Sequence, residues 1–377
     1  MNKNKFKILE ICPYSAGGCG VWARAKQESI ELVKKGYDVR VFSTNFEKGT
    51  HKIVPSEENL GKIKIQRFSA KKLGGEGFLY WDFEKEALRY SPDIMIVHTY
   101  RHNHTIKALK IAKNLRRQGK KCKVFLVTHA PFVEGNITRT RLQTLIVKLY
   151  DAVIGRVTIN KFDKILVISR WEIPYLINIG AKKEKITYIP NGIPEEFFTL
   201  KKQTKEENKL IFLGRIAPKK KVETIINTIP YLTDKNLMVE IIGPDEKEYL
   251  NSLKELIKKL RVENRIEFSS AIYNIKKKIA KIDSCKIYVL ASRVEGMPQG
   301  LIEAMSRGKI VIGSDSVAIR DIIQDKKNGY LFEFDNPKSL AEKINLAIKN
   351  KKIGDEAKKS VEKFNWKIII KQLEQLF

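Results

Sequence analysis

The amino-acid sequence predicts an α/β protein built from two Rossmann-like domains, and three observations carry that prediction. Short apolar runs alternate with amphipathic helical stretches, the signature of parallel sheets. The alternation occurs twice. Strands are expected at 7–11, 38–43, 63–67, 93–98, 123–128 and 164–168, then at 209–213, 238–242, 266–268, 287–290 and 310–313, with helices at 20–35 and 103–118. Between the two series lies a turn-rich, charged stretch over 189–208, from Ile189-Pro190-Asn191-Gly192 to Glu206-Glu207-Asn208, which is the best linker candidate. A chain of 377 residues suits two such domains.

Composition narrows the class. Hydrophobic residues make up 43% of the chain, enough to fill two cores and to exclude a disordered basic tail. No apolar run approaches the ~18–20 residues of a membrane-spanning helix. The opening Met1-Asn2-Lys3-Asn4-Lys5-Phe6 leads into the first strand without a signal-like apolar region. Cys12, Cys19, Cys122 and Cys285 show no Cys-x-x-Cys spacing, which argues against zinc or a disulfide framework. The reading is cytoplasmic and globular.

The formal charge is +29, and residues 101–150 hold twelve bases against a single acid, Glu134. Over the chain, 55 of the 72 bases are Lys and 17 are Arg, whereas direct base reading favours Arg forks. Residues 101–149 contain only Phe125 and Phe132 among Phe, Tyr and Trp, so a nucleic-acid partner is not expected. Two readings of the segment stand: a phosphate-rich or anionic membrane partner, or lysines that simply coat the surface.

Three stretches could carry chemistry. After the first strand comes Ser15-Ala16-Gly17-Gly18-Cys19-Gly20-Val21-Trp22-Ala23, where Gly18 and Gly20 leave backbone free to approach a phosphate at a helix N-terminus. A nicotinamide dinucleotide would also need an acid at the end of the second strand, but Asp38 lies at its start. The loop is either a phosphate approach or a tight strand–helix turn. The strand at 209–213 runs into Gly214-Arg215-Ile216-Ala217-Pro218-Lys219-Lys220-Lys221, where Arg215 and the lysines could clamp a diphosphate or could merely be solvated. Most informative is Glu295-Gly296-Met297-Pro298-Gln299-Gly300-Leu301-Ile302-Glu303. Its first half reads as a loop and 301–307 as the start of a helix, with Glu295 and Glu303 able to accept bonds from vicinal sugar hydroxyls. Balancing the helix dipole would account for one of these acids, not for the Gly/Pro-patterned approach.

In this order the pieces resemble the family 4 glycosyltransferases. The resemblance runs from the Gly-rich loop through Tyr188-Ile189-Pro190-Asn191-Gly192-Ile193, Gly214-Arg215…Lys220 and Glu295-x7-Glu303 to Asn328-Gly329-Tyr330-Leu331-Phe332 and Phe364-Asn365-Trp366. It implies the GT-B fold, two Rossmann-like domains facing each other across a deep cleft. Residues 1–190 would form the acceptor domain and 191–360 the nucleotide-sugar donor domain, with 361–377 a helix packing back towards the first. It implies a retaining hexosyltransferase in which Arg215 and Lys220 grip the donor diphosphate, Glu303 binds the ribose hydroxyls and Glu295 the sugar hydroxyls. Gly296, Met297, Pro298, Gln299, Gly300 and Leu301 would lie close to the sugar and phosphates. Gly18 and Gly20 would approach the phosphate from the first domain, and His129 would line the reaction centre. Glu295, His129, Arg215 and Lys220 are the catalytic set it implies. The departing diphosphate would itself take the acceptor's proton, and with no Asp-x-Asp in the chain neither metal nor cofactor is expected.

The sequence also departs from the family pattern. Cys19 stands at the first loop glycine, Val317-Ala318-Ile319-Arg320-Asp321 replaces a Gly-Gly-x-Pro-Glu segment, and Lys221 follows the clamp lysine and should make it more cationic. His98, Arg101, His102 and His104 cluster after the fourth strand, either lining an acceptor site, holding a metal, or as ordinary loop residues. Leu142, Leu145, Ile146, Leu149 and Val153 give one apolar helical face, with Lys148 and Arg156 off it. That face either packs on the sheet or docks the enzyme on an anionic membrane surface, through residues 101–150, to reach a lipid-linked or other glycan acceptor. A soluble transferase with a small-molecule or polysaccharide acceptor, or a sugar-nucleotide epimerase, are the alternatives.

Overall fold

The computed structural model describes residues 6–50, 52–72, 79–132, 140–202, 204–350 and 352–377. Residues 1–5 and Glu134, which entered the reading above, lie outside the described residues, as do residues 133–139 of the basic segment and residue 203 of the expected linker. The chain divides into two compact units, Met1–Asn191 with Trp366–Phe377, and Gly192–Asn365.

Unit 1 contains β1 (Lys7–Tyr14), β2 (Asp38–Thr44), β3 (Glu57–Leu60), β4 (Ile63–Phe68), β5 (Ala70–Lys72), β6 (Leu79–Trp81), β7 (Ile94–His98), β8 (Lys123–Val127), β9 (Lys164–Val167) and β10 (Ile186–Tyr188). Eight of them form a sheet in the order β10-β9-β8-β7-β1-β2-β4-β3, parallel except for β3 on β4; β5 and β6 make a separate antiparallel pair. Helices cover a parallel sheet on both faces, so its central strands are largely apolar. Ile8, Leu9 and Ile11 of β1 and Met95, Ile96 and Val97 of β7 are fully buried. The expected strands are all present; β3, β5, β6 and β10 are additional. β3 is largely exposed and polar and the others are three residues long, so none carries a periodic signal.

The helix Gly20–Lys34 buries Arg24, Ala25, Glu28, Ser29 and Leu32, a stripe at 3.6-residue spacing that includes a charged pair. Arg24 Nη1 donates to the Ile189 carbonyl at 3.0 Å and to Asn191 Oδ1 at 2.9 Å, which ties this helix to the end of the unit's main segment. The closing helix Trp366–Glu374 returns to the same unit. It buries Trp366, Ile369, Ile370 and Leu373, and Tyr37 donates its hydroxyl to Glu374 Oε1 at 3.0 Å.

Unit 2 contains β11 (Lys209–Leu213), β12 (Met238–Ile242), β13 (Ile266–Ser269), β14 (Ile287–Leu290), β15 (Ile310–Ser314) and β16 (Tyr330–Phe332). They form one parallel sheet in the order β13-β12-β11-β14-β15-β16, the doubly wound arrangement that reverses direction beside its first strand.

The stretch expected as a linker is divided. Residues from Gly192 onward belong to unit 2, and buried cations hold them there. Arg307 forks onto Asp283 at 2.9 and 2.8 Å and donates Nη1 to the carbonyls of Phe197 and Leu200. Lys309, almost fully buried, donates to the carbonyls of Asp283 and Cys285 and pairs with Glu206. Arg307→Ala would leave the buried Asp283 carboxylate unpaired, and the expected loss is about 3–5 kcal/mol in unit 2, read by chemical denaturation. An Arg307→Ala protein as stable as the parent would show that the fork does not hold this segment.

Candidate functional site

In doubly wound sheets, loops diverge at the carboxyl ends of the strands where the order reverses, and ligands bind there. In unit 2 this point lies between β11 and β14. β11 ends at Leu213 and turns through Gly214 and Arg215, with Gly214 N–H donating to the Ile242 carbonyl at 2.9 Å. A Cβ on Gly243, at φ +151°, would stand 1.9 Å from the Gly214 carbonyl oxygen, so only glycine lets the two strand ends approach this closely. Arg215 is exposed and has no ion pair among the described residues. Lys220 closes the short turn Pro218–Lys220 and its ammonium pairs with Glu295. The Arg293 N–H donates to the Lys219 carbonyl at 3.0 Å, so main chain as well as charge joins the basic loop to the acidic one.

The helix after β14 spans Gln299–Ser306, two residues earlier than expected, so Gly300 lies in its first turn rather than in the approach. The reason is packing. A Cβ on Gly300 would come within 2.4 Å of the Tyr288 hydroxyl, which is itself bonded to the Leu213 carbonyl at 3.1 Å. The helix can therefore start hard against the switch point. Pro298 is its N-cap and offers no side-chain bond. The Gly300 and Leu301 N–H groups stand ahead of the Ile302 N–H, which bonds to the Pro298 carbonyl, and lie at the positive end of the helix. Glu303 is buried and pairs with Lys278 of the helix Ile275–Ser284. Met297 is buried beside this turn. Lys221 does not extend the clamp: Asp335, at 2.8 Å, and Glu223, at 3.3 Å, neutralise its ammonium. Arg215, Lys220, Glu295, Gly300 and Glu303 are thus brought to one end of one sheet.

In unit 1 the reversal lies between β1 and β7. The Gly-rich loop leaves β1 there. Gly17, at φ +80°, bends it, and Arg67 braces its start with a 2.7 Å bond to Ser15 Oγ. A Cβ on Gly18 or Gly20 would enter open space, so packing of the chain on itself does not demand glycine at either position. Cys19, the N-cap of the helix Gly20–Lys34, makes no side-chain cap bond, and the N-terminal N–H groups remain open to an anion.

His129 follows β8 with φ +59°, and Ala130 follows with φ +54°. Glu172 holds this left-handed pair. Its carboxyl accepts from Ala130 N–H (2.8 Å), Thr128 Oγ1 (2.5 Å), Ile168 N–H (2.9 Å) and Ser169 N–H (3.0 Å). Burial pushes that carboxyl up to about 7, with the donors pulling the other way. His129 Nε2 lies 2.9 Å from His98 Nδ1, and His98 Nε2 lies 2.6 Å from Glu10 Oε2. Burial holds His98 down to about 3 and His129 well below the usual imidazole range, so both rings are neutral.

The expected grouping of His98, Arg101, His102 and His104 breaks up. His98 points into the core, while Arg101 forks onto Asp151 at 2.8 and 2.5 Å. His104 Nε2 lies 2.8 Å from the His98 carbonyl, and burial lowers His102 to about 3. Among the described residues no group of three or more His, Cys, Asp or Glu side chains could hold a metal. Glu10, Glu172 and Lys278 were missed by sequence reasoning. Only Glu10 carried a signal, an acid in the middle of the apolar strand Lys-Ile-Leu-Glu-Ile-Cys.

The helix Arg141–Tyr150 buries none of its residues. Leu142 is 66% exposed, Leu145 62% and Leu149 62%, and the exposed face continues through Val153, Ile154 and Val157. The expectation that it packs on the sheet therefore fails. No helix among the described residues is long and apolar enough to cross a membrane. In the helix Asn103–Arg117, Lys107 pairs with Asp82 and Arg116 with Asp163, while Lys110, Lys113 and Arg117 stay exposed.

Comparison with known proteins gives two adjoining family matches, Glycosyltransferase Family 4 over residues 19–197 and Glycosyl transferases group 1 over 194–364. The chain is 24% identical to the N-acetyl-alpha-D-glucosaminyl L-malate synthase of Bacillus anthracis, over 99% of this chain and 97% of that one. It is 25% identical to the N,N'-diacetylbacillosaminyl-diphospho-undecaprenol alpha-1,3-N-acetylgalactosaminyltransferase of Campylobacter jejuni, over 48% of this chain and 49% of that one. Among solved structures it resembles Anabaena HepE in complex with UDP and glucose, with a TM-score of 0.72 at 16% identity over 98% of both chains. The two matched models together span nearly the whole chain, and each unit carries the doubly wound, mainly parallel sheet of a Rossmann-like domain. The chain belongs to the group 1 glycosyltransferases of glycosyltransferase family 4.

Proposed function

We propose that this group 1 glycosyltransferase is a retaining hexosyltransferase that takes its sugar from a nucleotide-diphosphate sugar and works on a lipid-linked or membrane-associated saccharide at an anionic membrane surface. The observation that carries the donor half is the convergence at the unit 2 switch point. An exposed Arg215, Lys220 and the uncapped N-terminus of Gln299–Ser306 share one sheet end with Glu295 and Glu303. In this reading Arg215, Lys220 and the helix end stabilise charge growing on the leaving diphosphate. Glu303 accepts from the ribose hydroxyls and Glu295 from the sugar hydroxyls. Gly18 and Gly20 offer backbone to phosphate, and His129 lines the reaction centre. Neither carboxylate is the nucleophile of a double displacement: the acceptor attacks on the face the diphosphate leaves, and the diphosphate takes its proton. Protein cations do the work of a metal.

Without donor, Lys220 is paired to Glu295 and Lys278 to Glu303. Donor binding then exchanges partners instead of stripping bare charges: phosphate replaces Glu295 at Lys220, and hydroxyls share Glu303. Glu303→Ala should weaken nucleotide binding by roughly 1.5–3 kcal/mol, about 10–150-fold, by calorimetric titration. Glu295→Ala should keep nucleotide binding and lose transfer. Normal transfer by both variants would put the donor site elsewhere. Transfer should persist in EDTA, and strict metal dependence would overturn the protein-cation reading.

The membrane half rests on the exposed leucine face of Arg141–Tyr150, with Arg141, Lys148 and Arg156 beside it and a +11 excess over residues 101–150. The relative acting on an undecaprenyl diphosphate sugar supports a lipid-linked acceptor. A second reading, a soluble enzyme with a small hydroxy-acid acceptor, is favoured by the full-length match to the L-malate synthase. Vesicle flotation separates them. The protein should float with anionic vesicles, less at high salt, and the Leu145→Asp/Leu149→Asp variant should not. Absence of flotation, or equal flotation with neutral vesicles, would favour the soluble reading.

A further inference from the structure

One group of titratable side chains in unit 1 is unused by the reading above. Glu10 and His98 are both fully buried, on the neighbouring strands β1 and β7. Each nitrogen of His98 is engaged, Nε2 with Glu10 Oε2 at 2.6 Å and Nδ1 with His129 Nε2 at 2.9 Å. His129 is the outer member, partly exposed, and its Nδ1 has no hydrogen bond among the described residues. A neutral imidazole has one N–H and one lone pair, so the three groups must donate in one common direction.

Two arrangements satisfy this. In the first, Glu10 is protonated and its O–H donates to His98 Nε2. His98 Nδ1–H donates to His129 Nε2, and His129 shows an N–H at Nδ1. In the second, His129 Nε2–H donates to His98 Nδ1 and His98 Nε2–H donates to the Glu10 carboxylate, and His129 shows a bare lone pair at Nδ1. The two differ by one proton. A proton taken up at His129 Nδ1 lets Nε2–H pass to His98 Nδ1 and His98 Nε2–H pass to Glu10 Oε2. The second arrangement becomes the first, both rings remain neutral, and the proton resides formally on Glu10.

We propose that Glu10 and His98 are positioning residues that form a proton relay, setting whether His129 presents a donor or an acceptor at Nδ1. Burial supports it on both sides. Glu10 Oε1 is buried without a hydrogen-bond partner, which a carbonyl oxygen of a neutral acid tolerates far better than a carboxylate does. Desolvation pushes the Glu10 carboxyl well above the usual carboxylate range, although Arg24 opposes it. The groups facing the relay are Arg24 and Glu28, joined at 3.0 Å on the helix Gly20–Lys34, Cys12 on β1, and His102 and His104 beyond β7. Burial first, and then the neighbouring imidazoles and Arg24, disfavour a cationic His129, which leaves the tautomer, not the charge, as the variable.

The consequence for transfer rests on the reading of His129 as a reaction-centre residue, but the relay is tested without substrate. The chain has five histidines, so the ring nitrogens of uniformly 15N-labelled full-length protein are countable, and His129→Gln identifies the His129 signals. Raising the pH through the Glu10 transition should convert His129 from Nδ1–H to Nε2–H with no imidazolium signal at any point. Glu10→Gln should show one His129 tautomer throughout and lose that transition. Titration of His129 to imidazolium, or one unchanging tautomer in the parent protein, overturns the relay, and the parent measurement stands even if the variant folds poorly. Nucleotide binding by Glu10→Gln should equal the parent's, while the parent's pH dependence of kcat over the transition should flatten. A tautomer switch with kcat indifferent to it would leave the relay standing and remove His129 from the reaction centre.

Discussion

Both units depend on one constraint, the reversal of strand order beside the first strand of a parallel sheet. On each side of that strand the crossover connections run to opposite faces, so the loops at its carboxyl end part. β1 and β7 set that point in unit 1, and β11 and β14 set it in unit 2. The chemistry-bearing residues follow from this. The Gly-rich loop and the His98–His129 pair lie at the ends of β1, β7 and β8, and Arg215 and Glu295 follow the ends of β11 and β14. Packing details then sharpen the ends. Gly243 and Gly300 each stand where a methyl group would collide with the strand end or with Tyr288. Their role is to let backbone come close, and the open helix terminus at Gln299 results.

The charge excess of +29 resolves into parts that differ physically. Some cations are structural and deeply buried, such as Arg307 and Lys309, which fasten residues 192–206 to unit 2 through carbonyls and one carboxylate each. Others are already paired at the surface, among them Lys107, Arg116 and Lys221. Exposed pairs of that kind contribute little to stability. A small set beside the unit 2 switch point holds acids that a polyanion and a sugar could replace. Counting residues along the chain could not separate these classes, because ion pairing is a property of three-dimensional neighbours.

Strand and helix positions were legible in the sequence wherever a periodic apolar run was long enough, as at β11, β12 and β14, whose bounds agree with expectation residue for residue. Short edge strands were not, since three residues cannot show a period. The Gly/Pro pattern at 296–300 marked a loop correctly at its start, but Gly300 was assigned to that loop on composition; contact with Tyr288 puts it inside the helix. The face carrying Leu142, Leu145 and Leu149 was legible as amphipathic, while which side meets protein was not. Amphipathicity states that a face is apolar, not what covers it. Lys278 had no signature at all, since one lysine in the run Lys276-Lys277-Lys278 meets Glu303 only through the helix–helix geometry of unit 2.

The candidate sites of the two units place their ionisable groups differently, and dielectric explains the consequence. In unit 2 Arg215 is exposed and Lys220 is half-buried against Glu295, so the candidate donor-site cations stand at or near the surface. In unit 1 Glu10, Glu28, His98 and Glu172 are buried, where the charged forms are disfavoured and hydrogen-bond direction becomes the variable. Burial of an acid inside β1 would be a pure loss if its task were only to pack, because an apolar residue of similar volume fills the same space without desolvation. Its bond to His98, and through His98 to His129 at the end of β8, gives that burial a use: the proton on Glu10 sets the direction of a chain of donors whose outer end is open. Exposed charge suits a ligand that arrives already ionised, and buried neutral imidazole suits one whose hydroxyls must be told apart by donor and acceptor.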